Sequence, residues 1–124
     1  MGIISTSLIS FAILAVTLTP TAASSSDVRC PDTQAGKALT TVTLFDGPAS
    51  EKAALVPDTS QKTADGTRSR WSVAYIFQAG RRLYVECQYG PKSAPITLVP
   101  EPSTYQCEFL SGRTGQVSLA CQAR

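Results

Sequence analysis

No histidine occurs anywhere in the 124 residues. Its absence removes the side chain that most often acts as general base, the commonest metal ligand, and every Ser-His or Cys-His nucleophile pair. No two cysteines stand two to four residues apart, which excludes a Cys-x-x-Cys redox centre and the usual zinc site. A glycine-rich phosphate loop, an internal repeat and a coiled-coil heptad are also missing, so no cofactor or metal is implied. Charge of one sign is scarce: 11 basic against 9 acidic residues leave a net charge of +2, too little to argue for nucleic acid or an anionic membrane surface as a partner. Finally, the longest uncharged apolar run, Ile3 to Leu18, has 16 residues, whereas a bilayer core of roughly 30 Å needs about 20.

That short run has the form of an export signal. An apolar, helix-forming stretch is broken at Pro20, where a signal peptidase needs extended substrate. Small residues follow, with Thr21 and Ala23 at the positions such a peptidase reads, which places cleavage after Ala23. Residues 1–23 are therefore expected to be a cleaved signal peptide and residues 24–124 a single exported domain with no stable membrane anchor. Lipid attachment does not fit, because Cys30 follows Val28 and Arg29 and not the small residues it requires.

Four cysteines remain, Cys30, Cys87, Cys107 and Cys121. An even number in an exported chain reads as disulfides. Three pairings are open in principle. Cys107 and Cys121 flank the turn sequence Ser111 to Gly115 at similar distances, which favours their pairing across a hairpin and leaves Cys30 for Cys87.

The remaining pattern is that of strands. Ala38 to Phe45 is rich in Thr, Val and Leu, and predicts a strand that ends in an Asp46-Gly47-Pro48 turn. Ala49 to Leu55 contains good helix formers and predicts a short helix stopped before Pro57. Pro57 to Thr67 has hardly an apolar side chain and reads as an exposed loop with its tight turn at Asp65-Gly66. Trp71, Val73, Tyr75 and Phe77 alternate with Ser72, Ala74 and Ile76. Leu83, Val85, Cys87 and Tyr89 alternate with Tyr84, Glu86 and Gln88. These two runs, joined by Gln78 to Arg81, predict a central hairpin with Trp71 near Cys87. Ile96 and Leu98 predict an edge strand beside Pro95, and Tyr105 to Leu110 with Gln116 to Cys121 a terminal hairpin. The fold class is mainly β: a small antiparallel sheet or sandwich of five to six strands with one short helix, linked by disulfides.

Seven carboxylates from Asp46 to Glu108 could supply a general acid and base, but nothing in their spacing singles out two. Binding is better supported. Arg81 and Arg82 beside Tyr84 are residue types that interfaces favour, with Tyr89 and Tyr105 as further rings. Asp46 and Glu51, on the Asp46-Gly47-Pro48 turn, are candidates for a partner's basic groups.

Cys30-Pro31, the stretch TVTLFDGPASEKAALVPD from Thr41 to Asp58, Trp71, CQYG from Cys87 to Gly90, and Cys107 and Cys121 together resemble a family of small, largely uncharacterised periplasmic proteins of proteobacteria. The resemblance covers most of the exported part and is most specific in the FDGP-x-x-EKA-x-LVPD segment. It implies export to the periplasm, oxidised cysteines and the same four-cysteine framework, and no activity.

The reading that fits these features is a non-catalytic periplasmic binding protein of the inhibitor or immunity type, with a cell-wall-directed enzyme or another envelope protein as partner. An envelope accessory protein is the alternative, and a small carboxylate-dependent hydrolase the third reading. Amino-terminal sequencing of the exported protein is expected to begin at Ser24; retention of Met1 would show that the segment is not removed.

Overall fold

Strand-forming side chains dominate the sequence after Asp27, and the backbone follows them. The computed structural model describes residues 2, 9–17 and 27–124. Most of the expected signal peptide and its cleavage site lie outside the described residues. Within it, residues 9–17 have no regular structure and expose Ile9, Phe11, Ile13, Leu14 and Val16. The helical run expected there is thus not formed over these nine positions, as befits a short apolar stretch with nothing to bury against. Among the described residues no helix is long and apolar enough to cross a membrane.

The protein is mainly β, with ten antiparallel strands among the described residues. The larger sheet has five: β1 (Val28–Arg29), β5 (Thr59–Thr63), β6 (Gly66–Ser72), β9 (Thr104–Gly112) and β10 (Val117–Ala123), in the order β1-β10-β9-β6-β5. The smaller has β4 (Thr41–Asp46), β7 (Leu83–Gln88) and β8 (Ile96–Leu98), in the order β4-β7-β8, with β8 at an edge. A separate two-stranded ribbon is made by β2 (Thr33–Gln34) and β3 (Lys37–Ala38). The count exceeds the expected five or six because two-residue strands carry no periodicity, and because one strand was concealed in a polar segment.

That strand is β5. Its five residues are exposed on both faces, so no apolar alternation marks it, and it is held by backbone pairing to β6. The segment expected to be a loop is therefore an edge hairpin, turning at Ala64-Asp65. Gly66 opens β6 one residue later. A Cβ on Gly66 would come within 1.9 Å of the Ser111 carbonyl oxygen, so glycine is needed for β6 to approach β9 there.

The alternation from Trp71 to Phe77 also resolves differently. β6 ends at Ser72, and Ala74–Gln78 forms a short helix, α1. Val73, Ile76 and Phe77 stand at i, i+3 and i+4, which suits a helical face as well as a strand. Val73 and Ile76 are buried, while Tyr75 points outward, 51% exposed. Gly80, at φ +74, closes the helix with its N–H donating to the Phe77 carbonyl. The chain thus crosses from one sheet to the other, and β6 and β7 are not a hairpin. Trp71 is opposite Cys107, not Cys87, in register. Its indole N–H donates to the Leu55 carbonyl at 3.3 Å.

The helix expected over Ala49–Leu55 is reduced to one 3₁₀ turn, Ala49–Glu51, ended by Lys52 in a left-handed conformation. Residues 53–55 then lie along the free edge of β4: the Asp46 N–H donates to the Ala53 carbonyl and the Leu55 N–H to the Leu44 carbonyl.

Leu44, Leu83, Val85 and Cys87 from the smaller sheet, Trp71, Cys107, Leu119 and Cys121 from the larger, and Val73 and Ile76 at α1 form one buried core. Two disulfides tie it. Cys107–Cys121 joins directly opposed residues of β9 and β10, as the hairpin spacing predicts. Cys30–Cys87 joins the chain just after β1 to the penultimate residue of β7, linking the two sheets.

The two bridges close loops of unequal size, with sequence separations of 57 and 14. Chain entropy assigns them about 4 and about 3 kcal/mol respectively. Replacing Cys30 and Cys87 together by alanine is expected to lower the urea midpoint more than replacing Cys107 and Cys121. The reverse order would show that the hairpin bridge, not the link between sheets, governs stability.

Candidate functional site

β4 and β7 are paired so that Asp46 lies opposite Leu83 and Phe45 opposite Tyr84. The end of β4 therefore meets the start of β7, and the residues just beyond each strand become neighbours. Gly47 takes φ +95 and its N–H donates to the Arg82 carbonyl at 2.9 Å. Pro48, in an extended conformation, caps the 3₁₀ turn. The Asp46-Gly47-Pro48 sequence is thus a strand end, a glycine turn and a helical start, packed against the segment Gly80 to Arg82.

Around this junction the structure gathers the five sequence candidates. Glu51, Arg81, Arg82 and Tyr84 line an open depression of about 610 Å³ together with Gly47. Asp46 lies at its edge, held by Arg81: Nε is 2.9 Å from Asp46 Oδ1, and Nη2 donates to the Asp46 carbonyl at 3.0 Å. The Nε–Oδ1 contact is an ion pair without hydrogen-bond alignment, since Oδ1 accepts no hydrogen bond. The guanidinium is about half exposed, so the pair contributes modestly to stability. Its effect is to fix Arg81 and to occupy Asp46.

Glu51 reaches over Gly47, where an added Cβ would come within 2.6 Å of its Oε2 and 3.5 Å of Arg81 Nη2. Glycine is required here both by the backbone angle and by this close approach. Arg82 and Glu51, both exposed, make no ion pair among the described residues. They present one free charge of each sign beside the half-buried Tyr84 ring. Tyr84 lies on the outer face of its sheet with Phe45, and no helix covers it, because residues 53–55 extend the sheet edge instead. The arrangement offers a paired arginine, a free arginine, a free carboxylate and an aromatic ring on a rigid strand junction. Those groups suit recognition of a protein surface.

The other rings fall elsewhere. Tyr89 is buried and donates its hydroxyl to the Pro31 carbonyl at 2.6 Å. Burial first, and then the Asp32 charge, pushes its phenol above the ordinary value. Tyr105 lies under the Arg124 guanidinium, 4.7 Å from the ring centroid. Tyr75, by contrast, is exposed on α1 and does not line the depression, although strand alternation places it inward. Desolvation chiefly, then the charges of Asp46 and Asp58, raise its phenol above the ordinary value, and Arg81 opposes them. The helical spacing of Val73, Ile76 and Phe77 was the signal that would have turned Tyr75 outward.

Comparison with known proteins adds a family. No curated protein and no solved structure matches the chain. The family model described as Type VI secretion system Tli immunity protein matches residues 32–122, which takes in β2 to β9, all but the last residue of β10 and every residue of the depression. By that match this chain belongs to the Type VI secretion system Tli immunity protein family.

Proposed function

We propose that this immunity protein acts in the periplasm, where it neutralises an envelope-directed effector enzyme by binding it through the strand junction that carries Glu51, Arg82 and Tyr84. Membership of the immunity family supports an effector as partner. The observation that carries the choice of surface is the convergence of Asp46, Glu51, Arg81, Arg82 and Tyr84 from separate segments around one depression. Arg81 and Asp46 brace each other, which leaves Arg82, Glu51 and Tyr84 for the partner. The apolar leader and the two disulfides support a location outside the cytoplasm. Binding is sufficient for this role, and no step of it needs chemistry by the immunity protein itself. The effector we propose is a cell-wall-directed enzyme.

The test begins with the effector recovered as a stoichiometric complex with this chain, assayed on peptidoglycan sacculi and on phospholipid vesicles. The free effector is expected to degrade sacculi, and the complex to be inactive. Activity confined to phospholipid would overturn the cell-wall assignment while leaving immunity intact. Arg82→Glu and Tyr84→Ala are each expected to weaken the complex by about 2 kcal/mol, roughly thirtyfold, with thermal melting unchanged. Native-like affinity and protection from both variants would move the contact surface elsewhere.

A further inference from the structure

The five-stranded sheet has a second face, which the strand junction does not use. Cross-strand register puts Arg29, Ala120, Glu108 and Arg70 in one row and Ser118, Leu110 and Arg68 in the next. Residues directly opposed on antiparallel strands share a face. The alternate rows hold Trp71, Leu119 and the Cys107–Cys121 bridge, all buried, so the arginine rows are the outward ones.

Charge on this face is lopsided. Arg68 and Arg70 approach the same carboxylate, with Nε atoms 3.6 and 2.8 Å from Glu108, and Arg29 makes no ion pair among the described residues. Three arginines against one glutamate leave a surplus of +2, equal to the net charge of the whole chain, +2. The rest of the chain is therefore balanced, and its positive excess sits here. Beside the arginines, Leu110 is 38% exposed and lines a hollow of about 660 Å³ together with Asp32 and Ala38.

We propose that this face is a second contact surface, and that it takes an acidic segment of a partner protein with one apolar side chain seated beside Leu110. Arginine forks pair with carboxylates in a fixed geometry. The rows contain arginine and no lysine, the bias of protein interfaces, where arginine is enriched and lysine depleted. Asp32 lines the hollow and repels carboxylates, so the occupant's acidic groups lie with the arginines and its apolar group in the hollow. The effector is the partner that carries this segment, and in that respect alone the inference rests on the immunity reading.

A peptide of glutamates around a central leucine, titrated into the isotopically labelled full chain and followed by nuclear magnetic resonance, tests the surface without any effector. The arginine side-chain N–H signals of Arg68 and Arg70 and the amides of Leu110 and Ser118 are expected to shift. Affinity should fall at least about tenfold between ionic strengths of about 0.01 M and about 0.15 M. The glutamine counterpart of the peptide should leave the spectrum unchanged. Arg68→Gln with Arg70→Gln should abolish the shifts, and Arg29→Gln, which breaks no ion pair, should weaken binding several-fold.

Shifts centred on Arg81 and Arg82, equal response to the neutral peptide, or no response would overturn the proposal. So would arginine-dependent binding to anionic phospholipid vesicles without binding to the peptide, which would assign the face to a membrane. Failure of effector inhibition bears on the immunity reading and leaves this titration unaffected.

Discussion

Cys30 and Cys87 hold together two sheets that share no backbone ladder. The bond joins the residue after β1, itself a two-residue strand, to the penultimate residue of β7, and the core residues of both sheets close around it. A domain of this size buries a modest share of its surface, so a covalent tie between layers matters more than it would in a larger protein. The same bond anchors the amino-terminal segment. The Cys30 N–H donates to the Leu119 carbonyl, and Tyr89, two residues after Cys87, reaches the Pro31 carbonyl. Around this point the segment at Cys30 and Pro31, the last strand and the smaller sheet are fixed to one another.

Much of this was legible where a buried face imposed a period. Leu83, Val85 and Cys87 alternate because one side of β7 faces the core, and the Cys107–Cys121 pairing follows from the turn between two strands. β5 was illegible for the opposite reason: Thr59 to Thr63 bury no side chain, so pairing to β6 leaves no mark in hydrophobicity. The stretch from Trp71 to Phe77 satisfied two periods at once, and tertiary position decided between them. Lys52 shows a third limit, since its left-handed backbone cuts short a helix that the composition of residues 49–55 favours.

The candidate site follows the same logic. Asp46, Glu51, Arg81, Arg82 and Tyr84 stand out by residue type alone, in two segments thirty positions apart in sequence, and no local pattern brings them together. β4–β7 pairing supplies that reason, because its register sets the two turns side by side. Tyr75 is exposed and not inward because its segment is helical. The arginine rows of the larger sheet were equally hidden: Arg29, Arg68 and Arg70 become one surface through a strand order that no local pattern encodes. The two surfaces belong to different sheets, and each is built on paired strands. A rigid base lowers the entropy lost when such side chains are immobilised by a partner.

The order of the cysteines along the chain has one more effect. Each bridge joins a cysteine to the next one in sequence, Cys30 to Cys87 and Cys107 to Cys121. A polypeptide that emerges amino end first exposes Cys87 before either later thiol, so the earliest partner Cys30 meets is its native one. If that pair closes before Cys107 emerges, Cys107 has Cys121 alone to await. Oxidation in order of appearance therefore yields the native bridges directly, and thiol–disulfide exchange is not required to correct them.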